Sequence, residues 1–208
     1  MNNRHIEPSY EETLIYEHNF KNGMDAWITE GTAEVTIVNG NLQVNSSDSV
    51  LPGSTVWHNK VYPGNIKINY SACLLPPLNC SNINIFFNFE DRDAINEERV
   101  RTANYGIYHE YKTNILTYLN EGDGTTRIRL RKCPGFKLLE EVRLDGEIPL
   151  NDVQQLEIIL LDGLILFKAN GTALLKYFDP EPYTGGMIGF RTWKTKLWWN
   201  DFKVSKIN

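Results

Sequence analysis

Short runs of alternating or purely apolar residues, separated by turn signals, fill almost the whole sequence and leave little room for helices. Asn-Gly or Asp-Gly pairs stand at residues 39–40, 162–163 and 170–171, and a Gly-Asp-Gly triplet stands at 122–124. These pairs supply the positive φ angles that tight β-hairpins need. About fourteen predicted strands, spaced by such turns, favour an all-β chain in which two antiparallel sheets pack face to face.

The chain shows no interdomain linker and no internal repeat, so residues 1–208 are predicted to form one domain. Residues 1–12 precede the first predicted strand and are expected to be a flexible or peripheral arm. The stretch NYGIYHEY, residues 104–111, is predicted to be a strand. The charged stretch 90–101 is predicted to be a surface excursion that permits a helix.

Charge and cysteine content limit the partners and the compartment. The formal net charge is -5 and the pI is near 5.4, which argues against nucleic acid as a partner. No apolar run is long enough to span a bilayer and no signal peptide is visible, so a cytoplasmic location is expected. Cys73, Cys80 and Cys133 form no close pair and are predicted to be free thiols.

Several motifs resemble those of known jelly-roll proteins. The N-terminal part, with VTIVNGNLQV and STVWHNKVYPGNIKINY, resembles concanavalin A-like jelly-roll domains. The stretches NYGIYHEYKT, RIRLRKCPGFKLLEE and KYFDPEPYTGGMIGFRTWKTKLWWNDFKV are similar to the YesU-like family, and the resemblance runs from about Leu14 to the end of the chain. It implies a concanavalin A-like jelly-roll sandwich and a carbohydrate context, because that family of unknown function is found with genes for degrading pectin-type polysaccharides. It brings no catalytic residues.

The run RIRLRK places three guanidiniums on one face of a predicted strand. Arg127, Arg129 and Arg131 alternate with Ile128 and Leu130, so the arginines should face outward. Like charges about 7 Å apart repel one another, which favours a nearby anion. That anion is either an acidic side chain on a neighbouring strand or the carboxylate of a ligand, which guanidinium binds with two hydrogen bonds. In the first case the arginines are only a solvated strand face.

Two further runs add polar and aromatic side chains to the same predicted face. In NINIFFNFE, alternation directs Asn84 and Asn88 outward and Phe89 inward, and in GMIGFRTW it directs Arg191 and Trp193 outward. An indole stacks on the apolar side of a sugar ring, although Trp193 could instead only cover the end of the sandwich. The predicted substrate-binding residues are Asn84, Asn88, Arg127, Arg129, Arg191 and Trp193.

The run NYGIYHEYK supplies the candidate catalytic residues Tyr108, His109 and Glu110. Removing the C5 proton of a uronic acid needs a base, commonly Tyr or His, and a positive group that neutralises the carboxylate. Tyr108 or His109 beside the arginines would supply both, although a lone histidine is more often structural. Hydrolysis needs two carboxyl groups about 5–9 Å apart, for which Glu110 could pair with Glu90. The sequence lacks the Glu-x-Asp-x-x-Glu motif of many jelly-roll glucanases.

These residues together predict a protein that acts on, or binds, an acidic oligosaccharide containing uronic acid. One hypothesis is an enzyme, either a polysaccharide lyase or a glycoside hydrolase. The alternative is a lectin-like protein that binds the sugar without catalysis. No metal and no cofactor are predicted, because the sequence has neither a metal-ligand cluster nor a phosphate-binding loop. No nucleic acid or membrane partner is expected, and the oligomeric state is left open.

Overall fold

Two antiparallel β-sheets make up the computed structural model, which describes residues 8–47, 53–77, 81–97 and 101–208. The first sheet has eight strands and the second has seven. Along the described residues the elements are β1 (Glu12–His18), β2 (Trp27–Gly31), β3 (Glu34–Val38), β4 (Asn41–Asn45), β5 (Gly53–Pro63), β6 (Ile66–Leu75), β7 (Ser81–Phe89), a 3-10 helix (Asp93–Asn96), α1 (Tyr105–Tyr108), β8 (Thr113–Asn120), β9 (Thr125–Cys133), β10 (Lys137–Asp145), β11 (Gln154–Leu161), β12 (Leu164–Ala169), β13 (Thr172–Phe178), β14 (Gly185–Trp193) and β15 (Lys196–Ile207).

The strand order is that of a jelly-roll sandwich. The first sheet runs β13-β12-β11-β6-β15-β4-β3, with β1 also paired to β15, and the second runs β10-β9-β8-β7-β14-β5-β2. The central pairs, β6 with β15 and β7 with β14, join strands far apart in sequence. This topology confirms the predicted all-β fold with two antiparallel sheets.

Three hairpins turn at the dipeptides that the sequence marks. The pairs at 39–40, 162–163 and 170–171 join β3 to β4, β11 to β12 and β12 to β13, and every residue in them has a φ between +47° and +89°. Non-glycine residues with positive φ are mostly Asn or Asp, which explains the composition of these turns.

The main core lies between the two sheets and is built by alternation. On β9, Ile128 and Leu130 are fully buried between the sheets, and on β14, Ile188 and Phe190 are as well. Each such side chain contributes about 1.5–3 kcal/mol on burial. Trp199 is also fully buried in this core.

The stretch NYGIYHEY is not a strand, and this prediction is wrong. Its residues form α1, one helical turn that begins after Asn104, whose side chain accepts a hydrogen bond from the backbone N–H of Gly106. An Asn cap next to a flexible Gly favours a turn over an extended strand. The strand prediction mistook an aromatic-rich helical turn for a β pattern.

The segment 90–101 is more than a surface excursion. Within its described residues, Ala94 and Ile95 on the 3-10 helix are 1% and 2% exposed and pack in a second apolar cluster. That cluster lies outside the main core, between this segment, α1 and the outer face of the second sheet.

Two strands that the sequence pattern did not indicate stand at opposite edges of the second sheet, β2 and β10. Edge strands carry more polar residues, so their periodicity is weak. A register shift between Leu138 and Glu140 also breaks the alternation of β10.

Three further findings concern the N-terminal arm, the cysteines and possible membrane-spanning helices. Residues 1–7 of the predicted arm lie outside the described residues, whereas the backbone of Glu11 pairs with that of Asn208. Cys73 and Cys133 are buried free thiols, and Cys80 lies outside the described residues. No helix in the described ranges is long and apolar enough to cross a membrane.

Candidate functional site

One row of side chains crosses the outer face of the second sheet from edge to edge. Its members occupy matched positions on neighbouring strands, so they all point away from the main core. From β2 to β10 the row consists of Glu30, Thr55, Arg191, Asn84, Thr117, Arg129 and Glu141.

Part of this outer face is covered by α1. Tyr105 lies parallel to Phe86, with ring centroids 6.4 Å apart, and Tyr108 packs on Phe86 at 5.0 Å and on Trp57 at 6.0 Å. Trp57 faces outward from the second sheet and is fully buried beneath this cover. Beyond this cover, the part of the row between Arg191 and Arg129 lines a pocket.

A pocket of about 200 Å³, the sheet-face pocket, occupies this open part. Its described lining contains no carboxylate and no histidine. Nor does any part of the described chain bring together three or more His, Cys, Asp or Glu side chains that could hold a metal ion. The lining residues are Asn82, Asn84, Tyr105, Thr117, Arg129, Arg191 and Trp193.

Arg191 is 2% exposed and is held rigidly at the pocket wall. Its Nη1 donates to Thr55 Oγ1 at 2.9 Å and its Nη2 donates to the backbone oxygen of Ala103 at 3.0 Å. Its guanidinium carbon lies 4.8 Å from the ring centre of Tyr105 and 5.2 Å from that of Tyr108. A guanidinium placed over aromatic faces is stabilised by cation–π attraction and loses little entropy when it binds a ligand.

A buried acid stands behind Arg191 and balances part of its charge. The Tyr108 hydroxyl donates to Glu30 Oε2 at 2.5 Å and accepts from Thr55 Oγ1 at 3.1 Å. Burial raises the pKa of Glu30 to about 7, against the opposing effects of the Tyr108 hydrogen bond and the charge of Arg191. The network Glu30–Tyr108–Thr55–Arg191 therefore holds a carboxyl group whose charge changes near neutral pH.

Two polar atoms at the pocket have no partner in the described chain. Asn84 is 4% exposed and its Nδ2 donates to Asn82 Oδ1 at 3.0 Å, but its own Oδ1 is buried and unpaired. The Nε of Arg129 is likewise buried without an acceptor. Buried polar groups are normally paired, so these atoms mark positions where a ligand would gain hydrogen bonds.

The neighbouring arginines of β9 differ from Arg129. Arg127 Nε lies 2.5 Å from Glu121 Oε1, and Arg131 donates to the backbone oxygen of Phe136 and stacks on its ring. Arg129 makes no ion pair in the described part of the chain. All three face outward as predicted, but only Arg129 lines the pocket.

Trp193 forms the exposed rim of the pocket. It is 41% exposed, and the ammonium group of Lys194 lies 4.8 Å from its ring centre. An indole at a polar pocket rim offers a flat apolar surface beside hydrogen-bonding groups.

Asn88 lies away from this pocket, contrary to the alternation prediction. A register shift in the pairing of β7 with β14 inserts one extra residue into β7, and Asn88 has a φ of +57° there. Beyond this bulge the facing is reversed, so Phe89 packs in the outer cluster and Asn88 lines a different pocket at the end of the sandwich.

The three predicted catalytic residues do not line the sheet-face pocket either. Tyr108, on α1, is fully buried against the outer face of the second sheet, and His109 stacks on Phe136 at 3.6 Å. Glu110 is exposed on the far side of the turn. The reason is the helical turn, which directs successive side chains around an axis instead of to alternate faces.

Several residues of the pocket and of the hydrogen-bond network behind it were missed as candidates from the sequence. Thr117 is one of them, and strand alternation on TNILTYLN together with its pairing to Arg129 would have identified it. Tyr105 required knowledge of α1. Glu30 lies on β2, a strand that the pattern did not indicate, so no local signal was available for it.

Comparisons with known proteins agree on the fold. The chain matches the family described as a domain of unknown function (DUF6250) over residues 49–202. A protein of unknown function with a galectin-like fold from Bacillus subtilis superposes with a TM-score of 0.78 at 21% identity, covering 96% of this chain and 99% of that one. A search of curated proteins gave no match.

Two further structures share the architecture at lower identity. The carbohydrate-binding module CBM66 from Bacillus subtilis has a TM-score of 0.61 at 13% identity and covers 86% of this chain and 94% of the module. The endo-β-1,3-glucanase from Pyrococcus furiosus has a TM-score of 0.65 at 11% identity and covers 97% and 99%. At these identities the likeness concerns the jelly-roll fold alone.

Proposed function

The chain belongs to the DUF6250 family, and from its sheet-face pocket we propose that it binds an acidic sugar unit of an oligosaccharide without cleaving it. The observation that carries this proposal is the arrangement of Arg129 and Arg191 in one small pocket beside an exposed indole. The carbohydrate-binding module and the glucanase among the similar structures support a saccharide as the ligand class.

The proposed sugar is acidic because Arg129 brings to the pocket a positive charge that forms no ion pair in the described chain, Glu141 on β10 attracting it only at longer range. The charge of Arg191 is partly balanced by Glu30 through Tyr108, whereas Arg129 has no ion-pair partner in the described chain. A single carboxylate, as in a uronic acid, would satisfy the Nε of Arg129 through a charge-assisted hydrogen bond.

The remaining groups suit the neutral part of a sugar ring. The free Oδ1 of Asn84 accepts from a hydroxyl, and the indole of Trp193 stacks on the C–H face of the ring. The volume of about 200 Å³ accommodates one ring, so the rest of an oligosaccharide would extend over the rim.

Binding without cleavage is favoured by the composition of the pocket. Hydrolysis of a glycosidic bond uses two carboxyl groups about 5–9 Å apart on either side of it, and the described lining holds none. The motif RLRKCPGFKLL supports the finer proposal that the chain is one of the YesU-like proteins.

A uronate lyase is the second candidate, favoured by Tyr105. This residue lines the pocket together with Arg129 and Arg191, the combination of a phenol and carboxylate-neutralising cations that proton abstraction needs. Burial, however, raises the pKa of Tyr105, so the phenol stays protonated and little phenolate is available as a base in the unliganded protein. Formation of an unsaturated uronate product, detected by its ultraviolet absorbance, would show that the protein is a lyase and does more than bind the sugar.

The substitution Arg129→Ala tests the proposal. Binding of oligogalacturonate, measured by calorimetry, should weaken about 10- to 100-fold, because one charge-assisted hydrogen bond of about 1.5–3 kcal/mol is lost. Binding of a neutral oligosaccharide of equal length should change much less. Arg143→Ala is the matched control, since this exposed arginine on β10 pairs with Asp123 away from the pocket. Equal losses for both sugars would exclude a carboxylate at Arg129.

A further inference from the structure

A second pocket opens at one end of the sandwich, between the two sheets. This end pocket has a volume of about 380 Å³ and lies between the β11–β12 turn, the loop after β5 and the loop before β14. That volume is within the range of roughly 300–1,000 Å³ that is usual for small-molecule sites. Its lining shares no residue with the sheet-face pocket.

Two side-chain amides line this pocket with incomplete hydrogen bonding. Asn88 is 6% exposed and Asn114 is 1% exposed, and the Nδ2 of Asn88 donates to the Oδ1 of Asn114 at 3.1 Å. The Oδ1 of Asn88 and the Nδ2 of Asn114 are buried and have no partner in the described chain. Exchanging O and N in both amides would still leave one free acceptor and one free donor, so this result does not depend on the assignment of the amide ends.

The end pocket has no strong net charge. Asp179 on its wall pairs with Lys132 at 2.8 Å, and Asp162 and Lys206 contribute one charge of each sign. Its other walls are largely apolar, with Leu160 and Ile165 among them. A charged ligand would therefore lose its hydration without meeting an excess of opposite charge.

From this combination we propose that the end pocket binds a neutral saccharide unit through two adjacent hydroxyl groups. Each hydroxyl can both donate and accept, so a vicinal diol satisfies the free acceptor of Asn88 and the free donor of Asn114 at the same time. The apolar walls contact the C–H surface of the ring. The ligand differs from that of the sheet-face pocket, which takes a carboxylate.

Titration of the complete, isotope-labelled protein with methyl α-glucoside and methyl α-galactoside tests this site. With at least one of these sugars, the side-chain amide resonances of Asn88 and Asn114 should shift in a saturable manner. Absence of any shift with both sugars at millimolar concentration overturns the proposal.

A pair of substitutions separates the site from general effects. Thr184→Trp, at an exposed residue of the pocket lining, should block the opening and weaken binding roughly tenfold or more. Thr172→Trp introduces the same ring at an exposed residue on β13, outside the pocket, and should leave binding unchanged. Amide shifts that persist fully in Thr184→Trp would refute the location.

The two sites can be tested independently. Arg129→Ala should keep the response of the Asn88 and Asn114 amides to neutral sugar, because Arg129 lies outside the end pocket. Loss of this response in Arg129→Ala would refute an independent site. Failure of acidic-sugar binding in the wild-type protein would refute the proposed function and leave this inference standing.

Discussion

Three arginines on one face of β9 show how strongly the surroundings of a residue decide its chemistry. Arg127 is paired with Glu121, and Arg131 is held by Phe136. Among the three, Arg129 alone makes neither an ion pair nor a backbone hydrogen bond through its guanidinium in the described residues, and it alone lines the sheet-face pocket. Alternation predicted the facing of all three correctly. It could not separate them, because their partners come from the turn before β9, the turn after it and the strands on either side.

Trp193 should contribute to sugar binding through stacking alone. Trp193→Ala is expected to weaken acidic and neutral sugars at the sheet-face pocket alike, by roughly three- to tenfold, since aromatic stacking contributes about 0.5–1.5 kcal/mol. Calorimetry with both sugars would measure this.

The thermal midpoint of Trp193→Ala should stay close to that of the wild type, because the side chain is 41% exposed. Phe178→Ala, which removes another exposed aromatic from β13, is the control and should leave binding intact. A loss confined to the acidic sugar would argue against stacking.

At the scale of elements, α1 and β14 together determine how much of the outer sheet face is open. Trp57 lies flat across β14 because Gly189 has no side chain; a Cβ there would come within 2.4 Å of the indole ring. The indole packs against Tyr108, whose hydroxyl accepts a hydrogen bond from Thr55. Because Thr55 also accepts a hydrogen bond from Arg191, the indole helps to fix the position of Arg191.

Gly189→Ala should therefore destabilise the protein by about 1–3 kcal/mol, the usual cost of overpacking a rigid core. Urea unfolding followed by tryptophan fluorescence would measure the change in free energy. Gly106→Ala, in α1, is the matched control, because its added Cβ would have only an ordinary contact at 3.5 Å. Equal stability of the two variants would show that the indole can move aside.

The elements also show where sequence reasoning reaches its limit. The hairpin at 170–171 and the inward residues of β9 follow from local rules, since each depends on its own φ angles or on its own alternation. The bulge at Asn88 depends on how β7 pairs with β14, a strand about a hundred residues later, and no local pattern encodes it. The same holds for α1, whose aromatic residues pack on strand residues that lie well before it in the sequence.

For the whole molecule, two buried groups give stability opposite dependences on pH. The pKa of Glu30 is raised to about 7, so between about pH 4.5 and 7 the folded protein retains a proton that the unfolded chain releases, and stability falls as pH rises. Burial lowers the pKa of His58 to about 4, so between about pH 4 and 6.5 the unfolded chain takes up a proton that the folded one does not, and stability rises with pH.

Glu30→Gln should reveal this balance. The variant keeps an acceptor for the Tyr108 hydroxyl but loses the titration. Its free energy of unfolding, relative to that of the wild type, should therefore rise by up to roughly 3 kcal/mol as the pH goes from about 4.5 to 7. Urea unfolding at the two ends of this range would give the difference. Glu181→Gln, at an exposed residue, should follow the wild type at both pH values. A constant difference between Glu30→Gln and wild type would mean that Glu30 stays charged throughout.

The extra residue in β7 has a consequence for comparing members of this family. It sends Asn84 and Asn88, four positions apart on one strand, to opposite sides of the second sheet, so a single strand serves two openings. A relative whose corresponding strand is one residue shorter would have uninterrupted alternation. Such a protein should keep the opening beside Asn84 and lack the other one, so strand length alone would sort family members into two groups.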